Sequence, residues 1–524
     1  MFTSLSHIAR LIGIARVLAK HDALLITDGI FTDIHPLTDF GARAIKFFWR
    51  PLPEVRNLRT GQRLSIALEK LGPTFIKFGQ ALSTRSDLLG EEVAADLAEL
   101  QDRLAPFPFA EAEQQIVADF GKPLSALYTH FDPVPVAAAS IAQVHFATTT
   151  EGQDVAVKVL RPDVRHAFAR DIGLLYWLAD SAVRARPQLA RLKPREVVAT
   201  FENTTRLEMD FRFEAAAAQE VAENFANDPM FKAPAVDWQR TSERILTLER
   251  VGGLRVDDRA AIEAAGLDAI AVVKTAAEVF FNMVFRDGFF HADMHPGNLF
   301  ITPVDNQPGG KVIAIDFGIM GRIDRETQRT LADMLLGFLT RDYKKVAQVH
   351  IDAGFVPAHK SADEFAQAAR SIAEPILGKP IAEISLARLL GQLFQVTEQF
   401  EMQTQPQLLL LQKSMLVAEG VGRTLAPETN MWELAQPLIE RWMRDQLGPE
   451  ARVIGAAESA LTTIAKVPRI INRLDAVTAD LAANGLKLHP QSAEAMRGNG
   501  GWGRWLPWAV IAGLLIALLV QASS

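Results

Sequence analysis

The chain has 524 residues, of which 49% are hydrophobic, enough for several domain-sized units with real cores rather than disorder. Its 55 Lys and Arg against 62 Asp and Glu leave a formal charge of −7. That disfavours a nucleic-acid partner, which would select a basic face. The lack of cysteine excludes disulfides, thiol catalysis and cysteine-held iron–sulfur clusters.

Residues 1–130 read as a mostly helical N-terminal region. Between His7 and Leu25 the apolar positions Ile8, Leu11, Ile12, Ala15 and Leu18 recur at helical spacing. Arg10, Arg16, Lys20, His21 and Asp22 interrupt them, which argues against a secretory signal. Two readings stand for this helix: one lying on a membrane surface, and one packed on the body. Further on, Gly61 to Leu71 and Phe75 to Leu82 are helical, with a break at Gly72-Pro73.

A strand-rich segment, 131–255, follows. Val155-Ala156-Val157-Lys158-Val159-Leu160 alternates as a strand around one lysine. Before it runs Val136-Ala137-Ala138-Ala139-Ser140-Ile141-Ala142-Gln143-Val144, and after it a helical insertion over about 164–199. Glu208, Asp210 and Glu214 lie next, on what reads as one helix, and Ile245 to Glu249 is a strand closed by Val251-Gly252-Gly253. Residues 256–445 form a second, larger lobe. In it Leu299 to Ile301 and Val312 to Ile315 are short apolar runs joined by a turn at Asn306-Gln307-Pro308-Gly309-Gly310. Asp324 is a cap for a helix over Glu326 to Thr340, and Gln405 to Met443 is helical again.

The chemistry concentrates around that hairpin. His291-Ala292-Asp293-Met294-His295-Pro296-Gly297-Asn298 places Asn298 five residues after Asp293, and Asp316-Phe317-Gly318 follows. This is the order and spacing of a kinase catalytic loop and its second metal ligand, with Asp293 positioning the nucleophile and Asn298 and Asp316 holding magnesium. Magnesium takes few protein oxygens and completes its shell with phosphate and water. The competing zinc reading of His291 and His295 needs a helix that Pro296-Gly297 denies. A kinase site also needs a strand lysine for the α- and β-phosphates and a helix glutamate beside it. Lys158 is the lysine; the glutamate is Glu208 or Glu214. Residues 137–144 (Ala137, Ala138, Ala139, Ser140, Ile141, Ala142, Gln143, Val144) stand where a glycine-rich phosphate loop is expected, and alanine makes that loop stiffer. Glu249 falls at the hinge, on the nucleotide side. From Gly318 the chain reaches Asp324 with no stretch long enough for a peptide-binding activation segment, which disfavours phosphorylation of other proteins.

With Lys77-Phe78-Gly79-Gln80 (a KxGQ motif) and Glu208-Met209-Asp210 (ExD) added, the ordered set resembles the UbiB family of atypical kinase-like proteins, also called ABC1/ADCK, over roughly residues 55–440. One departure is visible: Met294 stands where the family usually has proline. The resemblance implies an α+β, protein-kinase-like two-lobed fold with a helical N-terminal extension carrying KxGQ. It implies Mg2+ and ATP or ADP as cofactors, Glu214 as the partner of Lys158, and Lys77 and Gln80 set over the cleft against Glu208 and Asp210. It implies a role in ubiquinone biosynthesis as a kinase or ATPase, with prenylated ubiquinone precursors, membrane lipid and other biosynthetic proteins as partners; a homodimer is allowed. A nucleotide-gated scaffold without catalysis is the alternative. An aminoglycoside- or choline-kinase relative would share the Asp293/Asn298 spacing but not KxGQ.

The C-terminus has its own signal. After a helical leash and linker, 446–501, the stretch Trp505 to Val520 carries no charge. As a helix it would span roughly 24 Å, short of a ~30 Å hydrocarbon core. Trp502, Trp505 and Trp508 form an interfacial cluster, flanked by Arg497 and Arg504. A membrane anchor over 502–522 is expected, with the body in the cytoplasm at the inner membrane.

Overall fold

The chain divides into two units, Met1–Trp442 and Met443–Ser524. The computed structural model describes residues 2–23, 52–83, 90–100, 104–185, 194–377 and 392–442, except 56, 99, 393, 394, 398, 403–405, 428 and 430–435. The expected leash and membrane anchor lie outside the described residues. Among the described residues, no helix is long and apolar enough to cross a membrane.

The N-terminal helices are α1 (Phe2–Lys20), α2 (Thr60–Leu71), α3 (Pro73–Ser83) and α4 (Glu91–Ala98). Gly72 separates α2 from α3 at a φ of 101°, a left-handed geometry that suits glycine, and Pro73 opens α3. Ile14, Leu64, Leu68, Phe75, Leu97 and Leu174 share one core. Arg10 donates to both oxygens of buried Asp171, each at 2.9 Å. Helix α1 is therefore packed on the body, the second of the two readings. The amphipathic pattern is the same in both cases; the partner 161 residues away decides.

Helix α5 (Phe109–Phe120) lies against a five-stranded antiparallel sheet of β1 (Tyr128–Phe131), β2 (Ala137–Ala138), β3 (Ala142–Thr149), β4 (Asp154–Leu160) and, later in the chain, Ile245–Glu249. The pleat sorts β4 into two faces. Val155, Val157 and Val159 pack with Ala112 and Ile116 of α5. Leu160 lies on the opposite face, in a core with Phe168, Phe211 and Leu246. Lys158 alternates onto that second face, toward the interlobe cleft.

The insertion is two helices, α6 (Val164–Ala185) and α7 (Pro194–Glu208), and so runs to Glu208 rather than to about 199. Helix α8 (Phe211–Asn224) is separate. Glu208 and Glu214 are thus on different helices, contrary to the single-helix expectation. The cause is Asp210, whose side chain accepts from the Arg212 amide and caps α8.

Short β5 (Phe231–Lys232) pairs in parallel with β10 of the large lobe (Gln307–Ala314), and β6 (Ile245–Glu249) completes the small-lobe sheet. After β7 (Leu254–Arg255) come α9 (Arg259–Ala264), α10 (Ala269–Phe281) and a π-helical turn over Asn282–Asp287. The Gln328 amide donates to the Val284 and Phe285 carbonyls, taking up acceptors that the irregular turn exposes. Strand β8 (Phe289–His291) leads to the segment of Asp293 and Asn298. Then β9 (Leu299–Val304) and β10 form the expected hairpin, pairing Leu299 with Ala314 and Ile301 with Val312. Its turn is tighter than expected: β10 already starts at Gln307, and Asn306 supplies the positive φ, 61°. Strand β11 (Met320–Arg322) pairs back on β8, and α11 (Arg325–Leu339) begins at once, capped by Asp324 through the Thr327 amide. Helices α12 (Tyr343–Asp352), α13 (Ala362–Ala373) and α14 (Pro406–Leu425) complete the large lobe.

Candidate nucleotide and magnesium site

Lys158, Glu214 and Asp316 meet in the cleft. The Lys158 ammonium donates to Glu214 Oε1 and Oε2 at 2.8 and 2.9 Å, and Asp316 Oδ2 lies 3.5 Å from it. Of the two glutamates considered for this pair, the structure brings Glu214 to Lys158. The Phe211 ring sits 5.4 Å from the ammonium.

One cation against two carboxylates leaves the cluster a positive charge short. Burial pushes the Lys158 ammonium down, but Asp316 and Glu214 more than reverse this, and its pKa is raised. Burial pushes the Glu214 carboxyl up to about 7, with Asp316 adding to the rise and Lys158 opposing it. At Asp316 burial also works upward, but Lys158, the Gly318 amide, His291 and Lys77 outweigh it and hold the carboxyl at about 2. The Asp316 side chain is 43% exposed, so water screens part of that pull. The ionised carboxylate faces open cleft.

The Asp293 loop is held by bonds between its own side chains and backbone. The Asp293 amide donates to His291 Nδ1 at 3.1 Å, and the Asn298 side-chain amide donates to the Asp293 carbonyl at 3.2 Å. His295 Nδ1 accepts from the Gly297 amide. His291 is buried in β8 and His295 is exposed after it, with no α-helix between them, so paired zinc ligation has no geometry here. The Ile315 amide donates to the Asn298 carbonyl at 3.1 Å, bringing the start and end of the β9–β10 hairpin together. Asn298 and Asp316 leave the two ends of this hairpin. With its side-chain NH2 group engaged on Asp293, Asn298 has its side-chain Oδ1 to offer a ligand. An amide oxygen and an ionised carboxylate suit a hard cation such as magnesium. They would hold it, and it would neutralise phosphate charge there.

Above the cleft, β2 pairs Ala137 with Val144 and Ala138 with Gln143, and the Ala139 amide closes a turn onto the Ala142 carbonyl at 2.7 Å. No residue of this loop has a positive φ, so nothing in its conformation calls for glycine. Ser140, Ala142 and Gln143 are buried. The Gln143 side chain is turned away from the cleft, bonded to both backbone groups of Phe107 and to His145. Its side-chain amide is thus engaged within the protein, which leaves the backbone of this loop position to face a nucleotide. Ile141 is likewise in the core below the loop. The Glu249 side chain pairs with Lys232 and accepts from the Ala235 amide, so what β6 offers the hinge is backbone.

Lys77 Nζ lies 3.1 Å from Glu208 Oε2. Lys77 also lowers the pKa of Asp316 electrostatically, so the KxGQ lysine is within the field of that carboxylate. Gln80 donates to the Leu100 carbonyl at 3.3 Å. Asp210, expected to face the KxGQ segment with Glu208, instead caps α8 and forms a two-point pair with Arg212. Two contacts were not evident in the sequence. Arg322 bonds both oxygens of Glu220 at 2.8 Å, tying the segment after Gly318 to the helix of Glu214. Arg161, directly after β4, donates to the Ala139 and Ser140 carbonyls. Both join residues remote in sequence, and neither belongs to a spacing motif.

The cleft defines an atypical kinase-like protein: a lysine–glutamate pair, an Asp–Asn loop and an aspartate beside the lysine, with Lys77 of the N-terminal helices paired to Glu208. The ABC1 atypical kinase-like domain matches residues 99–350, and the UbiB helical domain matches 369–430. A relative from Marinobacter nauticus, "Probable protein kinase UbiB", is 45% identical over 405 residues, covering 77% of this chain and 74% of that protein. A Vibrio cholerae relative of the same name is 44% identical over 412 residues, covering 78% and 75%. A solved structure, the Rv3197–erythromycin complex from Mycobacterium tuberculosis, aligns with a TM-score of 0.48 at 22% identity, covering 77% of this chain and 98% of that one. The chain belongs to the UbiB family of atypical kinase-like proteins.

Proposed function

We propose that the protein is a membrane-anchored ATPase or atypical kinase that uses Mg-ATP in support of ubiquinone biosynthesis at the inner (cytoplasmic) membrane. Its lipid partners are prenylated ubiquinone precursors. The observation that carries the proposal is the Lys158–Glu214 pair, at 2.8 Å, with Asp316 3.5 Å from the same ammonium. A kinase cleft requires this arrangement before the α- and β-phosphates and the metal can be held together. In the proposed roles Lys158 takes the phosphates, Asn298 and Asp316 take magnesium, Asp293 orients the attacking oxygen, and the alanine loop covers the nucleotide. Phosphorylation of other proteins is not part of the proposal. Supporting this, Lys77 pairs with Glu208 at the end of the insertion, and the chain passes from Gly318 through β11 into α11 with no long segment between them. The family resemblance supplies the pathway, and the uncharged stretch Trp505 to Val520 supplies the anchor.

The test is ATP hydrolysis by the purified full chain, with and without anionic liposomes and a phenolic prenyl analogue. Magnesium-dependent phosphate release that rises with liposomes or analogue is expected. Nucleotide binding with no hydrolysis under any of these conditions would instead leave a nucleotide-gated scaffold. Truncation after Gly500 is expected to release the protein from membranes while Mg-ADP binding persists; a truncated chain still wholly in the membrane fraction would remove the anchor.

A further inference from the structure

We infer that Arg161 is a positioning residue that fastens the KxGQ extension to the nucleotide-covering loop, so that nucleotide binding is felt in the extension. The inference rests on the nucleotide reading of that loop and goes beyond it.

The contacts form a short connected path. Arg161 sits at the C-terminal end of β4, three residues after Lys158. Its Nη2 donates to the Ala139 carbonyl at 3.2 Å and to the Ala105 carbonyl at 3.0 Å. Its Nε donates to the Ser140 carbonyl at 3.2 Å, and its own amide donates to the Ile141 carbonyl at 2.6 Å. The guanidinium lies 5.3 Å from the centre of the Phe107 ring. One side chain thus holds the alanine loop on one side and residues 105–107 on the other.

Gln143 adds a second fastening between the same two segments. Its Oε1 accepts from the Phe107 amide at 3.0 Å and its Nε2 donates to the Phe107 carbonyl at 3.3 Å. The same Nε2 donates to His145 Nε2 at 2.9 Å, which fixes that ring with its proton on Nδ1, toward the Asp132 carbonyl. Gln143 is fully buried, so this joint is rigid. The Arg161 joint is only part-buried and is the one able to change. On the extension side, Gln80 of the KxGQ motif donates to the Leu100 carbonyl, a few residues before Ala105.

A nucleotide that orders the loop presents the Ala139 and Ser140 carbonyls to Arg161 in a fixed place, and Arg161 passes that order to residues 104–107 through Ala105. A guanidinium suits the task because one planar group serves several carbonyls at once. Coupling of this kind is reciprocal: whatever seats the extension also changes nucleotide affinity.

The experiment is hydrogen exchange of the full chain with and without saturating Mg-ADP, alongside calorimetric Mg-ADP affinity, in wild type, Arg161→Gln and Arg161→Lys. In wild type, exchange at residues 104–107 is expected to slow about fivefold or more on binding, the lower end of ordinary coupling factors. In Arg161→Gln that response is expected to vanish while Mg-ADP still binds, roughly tenfold more weakly, the equivalent of about one net hydrogen bond. Arg161→Lys, whose ammonium can serve the Ala105 and Ala139 carbonyls, is expected to restore the response, which a merely structural role would not. Should the glutamine variant not fold, Arg161→Met, which keeps the stem and removes every guanidinium bond, takes its place with the same expected loss. Exchange at residues 104–107 that ignores Mg-ADP in wild type that binds it, or that responds equally in Arg161→Gln, overturns the inference alone. Wild type that binds no Mg-ADP overturns the nucleotide reading and this inference with it.

Discussion

Lys77 and Glu208 meet at 3.1 Å with both side chains 13% exposed, joining the N-terminal extension to the end of the helical insertion. A pair this sheltered is stronger than a surface one, and removing one partner strands the other charge. Lys77→Ala is therefore expected to lower the melting temperature and to shift Mg-ADP affinity by on the order of tenfold, through the charge that Lys77 also projects on Asp316. Glu208→Gln should repeat the stability loss with a smaller effect on nucleotide. Calorimetry on the two variants checks this. Wild-type nucleotide affinity in Lys77→Ala would uncouple the KxGQ lysine from the cleft.

Glu214 gives a pH signature. Its carboxyl is raised from 4.5 to about 7 in the folded protein, chiefly by burial. The folded state then binds more protons than the unfolded state between those values, so this group's contribution to stability falls as pH rises from about 4.5 to about 7. Asp316, lowered to about 2, acts in the opposite sense, and only as pH drops below about 4. Without nucleotide, the melting temperature of wild type should decline from pH 5 to pH 7.5 more steeply than that of Glu214→Gln. Parallel curves would mean that Glu214 is ionised throughout.

Local patterning made much of this site legible. The β9–β10 hairpin follows from two apolar runs flanking turn residues, and Lys158 was marked as a strand lysine by the alternation of Val155, Val157 and Val159. The Gly72-Pro73 break was equally clear, since one residue takes a left-handed φ and the other lacks an amide proton. What stayed hidden depends on distant partners. The sequence from Glu208 to Ala218 has nothing that forbids one helix, yet Asp210 ends one and caps the next. Gln143, at the end of the covering loop, has its side-chain amide on Phe107, a partner that no local pattern names. Helix α1 could be placed only once Arg10 had found Asp171.

The alanine loop closes its turn through the Ala139 amide and the Ala142 carbonyl without any left-handed residue. Glycine at Ala138 or Ala139 would free conformations now excluded, at a cost of roughly 0.5–1 kcal/mol in order. Ala139→Gly is expected to change the ratio of ATP to ADP affinity several-fold, and autophosphorylation should rise as the backbone closes on the terminal phosphate. Ala138→Gly, inside the β2 pairing with Gln143, should do less. Competitive binding of the two nucleotides measures the ratio. An unchanged ratio in both variants would mean that loop stiffness does not select the nucleotide.

Asp316 is the ionised oxygen donor of the proposed metal site, so Asp316→Asn should abolish magnesium-dependent nucleotide binding. Asn298→Ala, which removes a neutral oxygen, should weaken it less. A ligand at a hundredfold excess over its Kd stabilises a protein by about 2.7 kcal/mol, a clear thermal shift that Asp316→Asn should lose. The variant should still fold, because Lys158 keeps both oxygens of Glu214 at 2.8 and 2.9 Å. Its ligand-free protein should also lose part of the pH slope below 7, since Asp316 is one of the charges that hold the Glu214 carboxyl up. A thermal shift with Mg-ADP equal to that of wild type would remove Asp316 from the metal site. A collapse of the ligand-free fold would show instead that Asp316 serves the cleft as structure.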